Sequence, residues 1–474
     1  MFKSIHEECG VVGIFEFENK PITDSIYFTL QALQHRGQES AGIAVCESGV
    51  IKQQKGLGLV NDVFKKEKLD EIKYGNMAIG HVRYSTTGLN NINNVQPLVI
   101  RHIKGNLALA HNGNLTNANE LRQINEMHGA IFHGSSDTES ILYCIVRERI
   151  KAKSIEEAIE NTMYKIKGAY SCVAMSPKKI IAFRDPNGFR PLSLGKTKSG
   201  GYIVCSETCA IDSIGGEFIR DILPGEIIVI SDDGVKSILT HQNKKNSFCI
   251  FEYIYFARPD SILEGTSVHK ARVESGRLLA KESPVDADIV IGVPDSGLDA
   301  ALGYSIESKI PYTVGFVKNK YIGRSFIMPE QELRENMVNI KLNVIKENIK
   351  GKRVVLIDDS IVRGTTIKKI INLLKDAGAS EVHVRIPSPP FRYPCYFGTD
   401  IDSKEHLIAN KCGSIEEIKD YIGATSLAYI STNSLKKIAI NSKCGFCMAC
   451  FTGKYPVSIP TNTEKNKFEE KITR

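Results

Sequence analysis

Several groups of residues in this 474-residue chain have the types and spacing of chemical sites. The longest is Val354-Val-Leu-Ile-Asp-Asp-Ser-Ile-Val-Arg-Gly-Thr-Thr366. An apolar strand ends there in two carboxylates, and a Gly/Thr loop then opens a helix. Such a loop offers backbone N–H groups, hydroxyls and the positive end of a helix dipole, all suited to a phosphate. Asp358 and Asp359 stand where a ribose hydroxyl pair or a Mg²⁺-bound diphosphate would be held. Upstream lie Gly292-Val-Pro-Asp-Ser-Gly297 and the cation- and Gly-containing Lys318-Asn-Lys-Tyr-Ile-Gly-Arg-Ser-Phe326.

A second group begins at Cys9, at the mouth of the apolar run Cys9–Phe17. It continues through Gln34-His-Arg-Gly-Gln-Glu-Ser-Ala-Gly42, Gly80-His-Val-Arg-Tyr-Ser-Thr-Thr-Gly88, His111-Asn-Gly-Asn-Leu-Thr-Asn117 and Ser135-Ser-Asp-Thr-Glu139. A thiol is only a few per cent thiolate at neutral pH, so a nucleophilic cysteine needs a base. A free α-amino group titrates at about 7.7–8.0 and serves as that base when it belongs to the nucleophile itself. While Met1–Glu8 remain attached, the Cys9 nitrogen is an amide and accepts no proton. Residues 1–8 are therefore expected to be a propeptide, removed before activity.

A third group is made of cysteines. Cys447 and Cys450 form a C-x-x-C pair, Cys444 forms a second one with Cys447, and Cys249 and Cys395 lie elsewhere. Four thiolates suit zinc or an iron–sulfur cluster, and spacing alone does not separate the two.

These motifs carry resemblances. The Asp358–Thr366 segment resembles the PRPP-binding motif of type I phosphoribosyltransferases. That implies Asp358 and Asp359 on the ribose hydroxyls and Mg²⁺, with Ser360, Arg363, Gly364, Thr365 and Thr366 around the 5-phosphate. It also makes Ser296 a further metal contact, and Lys318, Lys320 and Arg324 the cations of a loop that closes over PRPP. The Cys9 group resembles class II, N-terminal-nucleophile glutamine amidotransferases. In that pattern Cys9 forms a γ-glutamyl thioester, and Asn112 with the Gly113 N–H forms the oxyanion hole. Arg83 pairs with the glutamine α-carboxylate and Asp137 with its α-amino group.

Both halves together resemble one family, the amidophosphoribosyltransferases, and the cysteine contexts resemble its iron–sulfur branch. This implies a [4Fe–4S] cluster on Cys249, Cys395, Cys447 and Cys450, with Cys444 the competing ligand. It further implies the conversion of glutamine, PRPP and water to 5-phosphoribosylamine, diphosphate and glutamate, the first committed step of purine synthesis. Ammonia would pass through an internal channel. The resemblance also implies inhibition by purine nucleotides and a homo-oligomer, tetramer or dimer. Two rival readings are an amidotransferase with another acceptor and a non-catalytic regulator. Asp358–Thr366 weighs against the first; intact Cys9, Arg83, Asn112–Gly113 and Asp137 weigh against the second.

The elements that must position these residues change character along the chain. Cys9–Phe17, Ser40–Glu47, Met77–Val82, Asn106–His111, Tyr170–Met175, Ile180–Arg184 and Ile227–Ser231 read as strands. Ile26–Arg36 and Asp137–Ile150 read as helices. This implies an α+β first domain over residues 9–235, which the resemblance makes a four-layer N-terminal-nucleophile sandwich. The polar stretch Ser231–Ser247 is the expected boundary. From residue 248 to 474, strand–turn–helix units at Ile289–Val293 and Arg353–Ile357 predict an α/β domain with a parallel sheet. Ile367, Ile370, Ile371 and Leu374 share one helical face, with Gly378 as a C-cap.

Composition agrees with two soluble domains: 42% hydrophobic, 24% charged, net charge +7. There is no basic run with interleaved aromatics and no helix-turn-helix or zinc-finger pattern, which excludes nucleic acid as the expected partner. No apolar run reaches the ~18 residues of a membrane span. Met1–Glu8 lacks the apolar core of a signal peptide. A cytoplasmic location follows as the expectation, with the 12 cysteines reduced.

Overall fold

The structure is a computed structural model describing residues 9–84, 91–241, 246–319, 342–401, 403–442 and 444–459. Met1–Glu8, Lys320, Arg324 and the charged end from Thr463 to Arg474 lie outside the described residues.

The first half builds two antiparallel sheets from thirteen strands. In chain order these are β1 (Gly10–Pro21), β2 (Ser40–Glu47), β3 (Val50–Leu57), β4 (Tyr74–Arg83), β5 (Leu98–His102), β6 (Gly105–Leu115) and β7 (Gly168–Ser176). They continue with β8 (Lys179–Arg184), β9 (Ser193–Lys196), β10 (Tyr202–Cys205), β11 (Glu217–Asp221), β12 (Ile227–Ser231) and β13 (Gly234–Ile238). One sheet runs β11-β9-β10-β1-β4-β2-β3 and the other β13-β12-β8-β7-β6-β5.

Alternation along each strand sorts side chains between two faces. Val11, Phe15, Ala44 and Ile79 of the first sheet pack against Ala108, Ala110, Val173 and Ala182 of the second, closing a core between the sheets. On the outer face of the first sheet, Val12, Ile14 and Ile43 meet Ile26 and Leu30 of the helix Thr23–Ala32. Outside the second, Leu109, Tyr170 and Ile181 meet Ile141, Leu142 and Ile145 of the helix Asp137–Lys151. The result is helix, sheet, sheet, helix.

The strands expected from sequence fall within β1, β2, β4, β6, β7, β8 and β12, except that Cys9 lies just before β1. The first helix is displaced: it spans Thr23–Ala32 rather than Ile26–Arg36. Gln34–Gly37 instead forms turns, and Arg36 is folded into the interior. Part of the polar stretch expected to be a boundary, Gly234–Ile238, is strand β13 paired to β12.

In the second half four strands, Ile289–Gly292, Arg353–Ile357, Glu381–Ile386 and Ser426–Tyr429, form a sheet in that order, every pair parallel. Both faces are covered, as parallel sheets require. Val354 and Leu356 face Ile367, Ile370, Ile371 and Leu374 of the helix Thr365–Asp376. Val355 and Ile357 face Leu279, Ala300 and Ala301 of the helices Val268–Glu282 and Gly297–Ser308. Gly378, expected to end the helix, sits just beyond it at φ +90°. No helix among the described residues is long and apolar enough to cross a membrane.

Candidate active site

Cys9 immediately precedes β1, which lies between β10 and β4 in the middle of the first sheet. Gly10 pairs with Val82, so the end of β4 places buried Arg83 beside the cysteine. Cys9 is itself buried, its Sγ 3.5 Å from the Tyr84 carbonyl. Its own carbonyl accepts from Arg36 Nε at 3.0 Å. The turn that carries Arg36 fits because Gly37 has no side chain; a Cβ there would stand 2.5 Å from the Arg83 nitrogen.

The end of β6 supplies Asn112 and Gly113. Asn112 is buried, and its Nδ2 donates to no acceptor among the described residues. A buried donor left so is costly unless a ligand completes it. Gly113 has φ +138°, and a Cβ on it would lie 2.1 Å from the Ala169 oxygen, so only glycine fits.

Beneath these residues runs a buried polar network. His81 Nε2 donates to the His111 carbonyl at 3.0 Å, bridging the two sheets. Burial drives the His81 pKa down to about 3, which keeps the ring neutral. His111 N donates to Gln96 Oε1, and Gln96 Nε2 donates to Thr138 Oγ1. Asp137 opens the helix Asp137–Lys151, accepts from Leu115 N at 2.9 Å and lies 3.6 Å from His111 Nδ1. Burial raises its pKa, but the His111 ring and the Leu115 and Thr138 N–H groups outweigh that and hold it below the usual value. Asp137 is thus a carboxylate at neutral pH.

The second site lies at the carboxyl end of the parallel sheet. Asp358 and Asp359 follow the strand Arg353–Ile357 directly. Asp359 accepts from Ser296 Oγ and Ser360 Oγ, both at 2.5 Å, and its N–H donates to Asp358 Oδ1 at 3.0 Å. The two loops approach closely because residue 297 is glycine: a Cβ there would stand 2.6 Å from the Ile357 oxygen. Burial and the Asp359 charge push the Asp358 pKa well up; burial raises Asp359 against its serine hydrogen bonds. Gly364, at φ +79°, turns the loop into the helix Thr365–Asp376, whose N-terminus has no side-chain cap. Thr365 and Thr366 are exposed on its first turn. Lys318 is exposed and ion-paired with Asp295; Lys320 and Arg324 fall outside the described residues.

The cysteines divide. Cys249, Cys395, Cys447 and Cys450 line one cavity with Phe189, Phe251 and Phe391. Cys444 does not line it: its Sγ donates to Glu264 Oε2 at 2.9 Å. Burial and the Glu264 charge raise its pKa to about 12. All the described cysteines are free thiols. Among the described residues no group of three or more His, Cys, Asp or Glu is arranged around a single metal ion.

Sequence reasoning passed over the buried charges that join the halves. Arg36 reaches Glu207 at 2.6 Å and Glu252 at 2.9 Å. Arg272 is nearly buried, donates to the carbonyls of Tyr253, Tyr255 and Ala257, and lies near enough to Asp359 to lower that carboxyl's pKa. Arg36 belongs to the Gln34–Gly42 motif, which was its only signal.

A buried cysteine thus heads an antiparallel sandwich in the first half, and an acidic strand end tops a parallel sheet in the second. Residues 81–213 match the glutamine amidotransferase domain family and residues 271–387 the phosphoribosyl transferase domain family. Amidophosphoribosyltransferases of Archaeoglobus fulgidus, Bacillus subtilis and Methanocaldococcus jannaschii are 49%, 47% and 48% identical to the chain. The matches cover 95%, 97% and 96% of it and 98%, 96% and 99% of the relatives. A solved glutamine PRPP amidotransferase from B. subtilis, complexed with ADP and GMP, superposes with a TM-score of 0.89 at 46% identity, covering 96% of this chain and 98% of that one. The chain belongs to the amidophosphoribosyltransferase family.

Proposed function

We propose that the protein converts glutamine, PRPP and water to 5-phosphoribosylamine, diphosphate and glutamate, opening purine synthesis. The observation that carries the glutaminase half is the buried Asn112 Nδ2, unpartnered among the described residues, beside a Gly113 that admits no side chain. A γ-carbonyl oxygen that becomes negative as Cys9 adds to the carbonyl supplies the missing acceptor.

Removal of residues 1–8 frees the Cys9 α-amino group, which takes the thiol proton as sulfur attacks the γ-amide. Arg83 and Asp137 hold the α-carboxylate and α-amino groups; ionised Asp137 is suited to a cation. Ammonia leaves, and water cleaves the thioester to glutamate. The ammonia passes internally to ribose C1, where it displaces diphosphate.

At the second site, Asp358, Asp359 and Ser296 form an oxygen set suited to Mg²⁺ and the ribose hydroxyls. Ser360, Arg363, Gly364, Thr365 and Thr366 hold the 5-phosphate at the uncapped helix start. Lys318, Lys320 and Arg324 would supply cations to PRPP. When bound, Mg²⁺ offsets charge on the departing diphosphate.

Cys249, Cys395, Cys447 and Cys450 are assigned to a [4Fe–4S] cluster because all four line one mostly apolar cavity. Burial and the mutual proximity of these thiols raise the Cys450 pKa well above its ordinary value, so cationic iron would relieve a real cost. The cluster would be structural, since neither half-reaction transfers electrons. Purine nucleotides act as inhibitors, a reading supported by the ADP and GMP in the B. subtilis complex. The enzyme works as a cytoplasmic homo-oligomer.

The test is glutamate release by protein purified without oxygen, with glutamine and Mg²⁺, with and without PRPP. Release that rises with PRPP and equals diphosphate formed supports the coupled reaction. PRPP-independent release without diphosphate removes the phosphoribosyl acceptor.

A further inference from the structure

We propose that Asn114 is a positioning residue for the oxyanion pair, acting by tying the end of β6 to the Tyr396 carbonyl across the two halves of the chain. The inference rests on the glutaminase reading above and concerns residues outside its reacting groups.

Three consecutive residues of the second half meet the first half here, two of them at the end of β6. The Tyr396 carbonyl accepts from Asn114 Nδ2 at 3.0 Å. The Phe397 carbonyl accepts from Arg190 Nε at 3.0 Å and Nη2 at 2.6 Å, and its ring stacks on Phe189 at 4.3 Å and 16°. Gly398, at φ +116°, lies against Gly113 itself; a Cβ on Gly398 would stand 3.4 Å from the Gly113 carbonyl carbon. A Cβ on Gly113 would stand 2.1 Å from the Ala169 oxygen.

A glycine peptide has little intrinsic preference for one orientation. An oxyanion hole works only when its donors are fixed before charge develops. β7 holds this stretch along one edge, Gly113 pairing with Tyr170, and the 396–398 segment with Asn114 as its tether adds the support of the second half. Cys395 begins that segment, and its Sγ accepts from the Phe397 N–H at 3.4 Å, so the support is continuous with the cysteine-lined cavity.

A tether of this kind acts on the tetrahedral stage and not on glutamine binding, which separates it from a general structural role. Asn114→Asp keeps the side-chain size and removes the donor; Gly398→Ala strains the same segment at φ +116°, its methyl meeting Arg190 Nη2 at 3.1 Å. In both we expect kcat for glutamine hydrolysis to fall about tenfold, the weight of one lost hydrogen bond, with KM unchanged. The γ-aldehyde analogue of glutamine adds the Cys9 sulfur to its carbonyl carbon and the thiol proton to its oxygen, giving a tetrahedral adduct. Its affinity should fall by the same factor, while affinity for glutamate and ammonia-driven synthesis stay at wild-type levels.

Wild-type kcat and aldehyde affinity in both variants would overturn the proposal. So would equal losses of aldehyde and glutamate affinity, or a parallel loss of ammonia-driven synthesis. Full glutaminase activity in Asn112→Ala would instead overturn the underlying oxyanion assignment.

Discussion

Arg36 and Glu252 form a two-pronged ion pair inside the protein, at 3.0 and 2.9 Å, with neither side chain exposed. The same guanidinium holds the Cys9 carbonyl through Nε. Removing one partner of a buried pair costs about 3–5 kcal/mol, because the other charge is left uncompensated. Glu207 remains as a counter-ion for Arg36. Glu252→Ala should therefore lose about 3 kcal/mol, the lower end of that range, seen as a lower urea midpoint by circular dichroism. Glutamine hydrolysis should fall with it.

Gly113→Ala should remove glutamine hydrolysis by at least about 100-fold. The φ of +138° and the Ala169 oxygen at 2.1 Å leave no room for a methyl. Ammonia-driven synthesis, which does not use this site, should persist. Loss of both would point to misfolding instead.

Intact-mass measurement of purified protein should give a chain beginning at Cys9. Cys9→Ala should retain Met1–Glu8 and release no glutamate from glutamine. A fully active enzyme that still carries the eight residues would remove the α-amino base from the mechanism.

Serine at Cys249, Cys395, Cys447 or Cys450 should reduce bound iron and sulfide in protein purified without oxygen. Cys444→Ser should keep both, because Cys444 bonds to Glu264 away from the shared cavity. Iron loss in Cys444→Ser alone would reverse the assignment.

The raised pKa values of Asp358 and Asp359 set a pH dependence. Folded-state values above the unfolded carboxyl value near 3.8 favour the folded chain most below that value. That contribution is lost as pH rises through the folded-state values. On the binding mode proposed above, Mg²⁺-PRPP would displace the protons, so its affinity should strengthen with pH over the same window. Calorimetry in buffers of different ionisation heats should show proton release on binding, and Asp359→Asn should reduce it.

What the sequence made legible was local. Cys9 opening a strand, and Asp358–Thr366 as strand, loop and helix, are contiguous patterns whose chemistry and geometry coincide. Short strands such as Ser193–Lys196 and Tyr202–Cys205 are too brief for alternation to register. The helix misplaced at Ile26–Arg36 shows the other limit. Leu33 and Arg36 continue the helical spacing, but burial of Arg36 against Glu207 and Glu252 outweighs that local preference. Cys444 and Cys450 are equally spaced about Cys447, so only side-chain direction separates them. The Asn114–Tyr396 tether spans 282 residues and leaves no local trace.

The seam between the halves is written in charge. Arg36, Arg184 and Arg190, all without exposure, face Glu252 and Glu264 across it. An oily seam can be parted and its faces repainted with polar side chains one at a time. A seam of interlocked ions leaves several stranded cations on one fragment and stranded carboxylates on the other. Splitting the gene at this joint, or grafting either half onto a foreign partner, would need several matched changes at once.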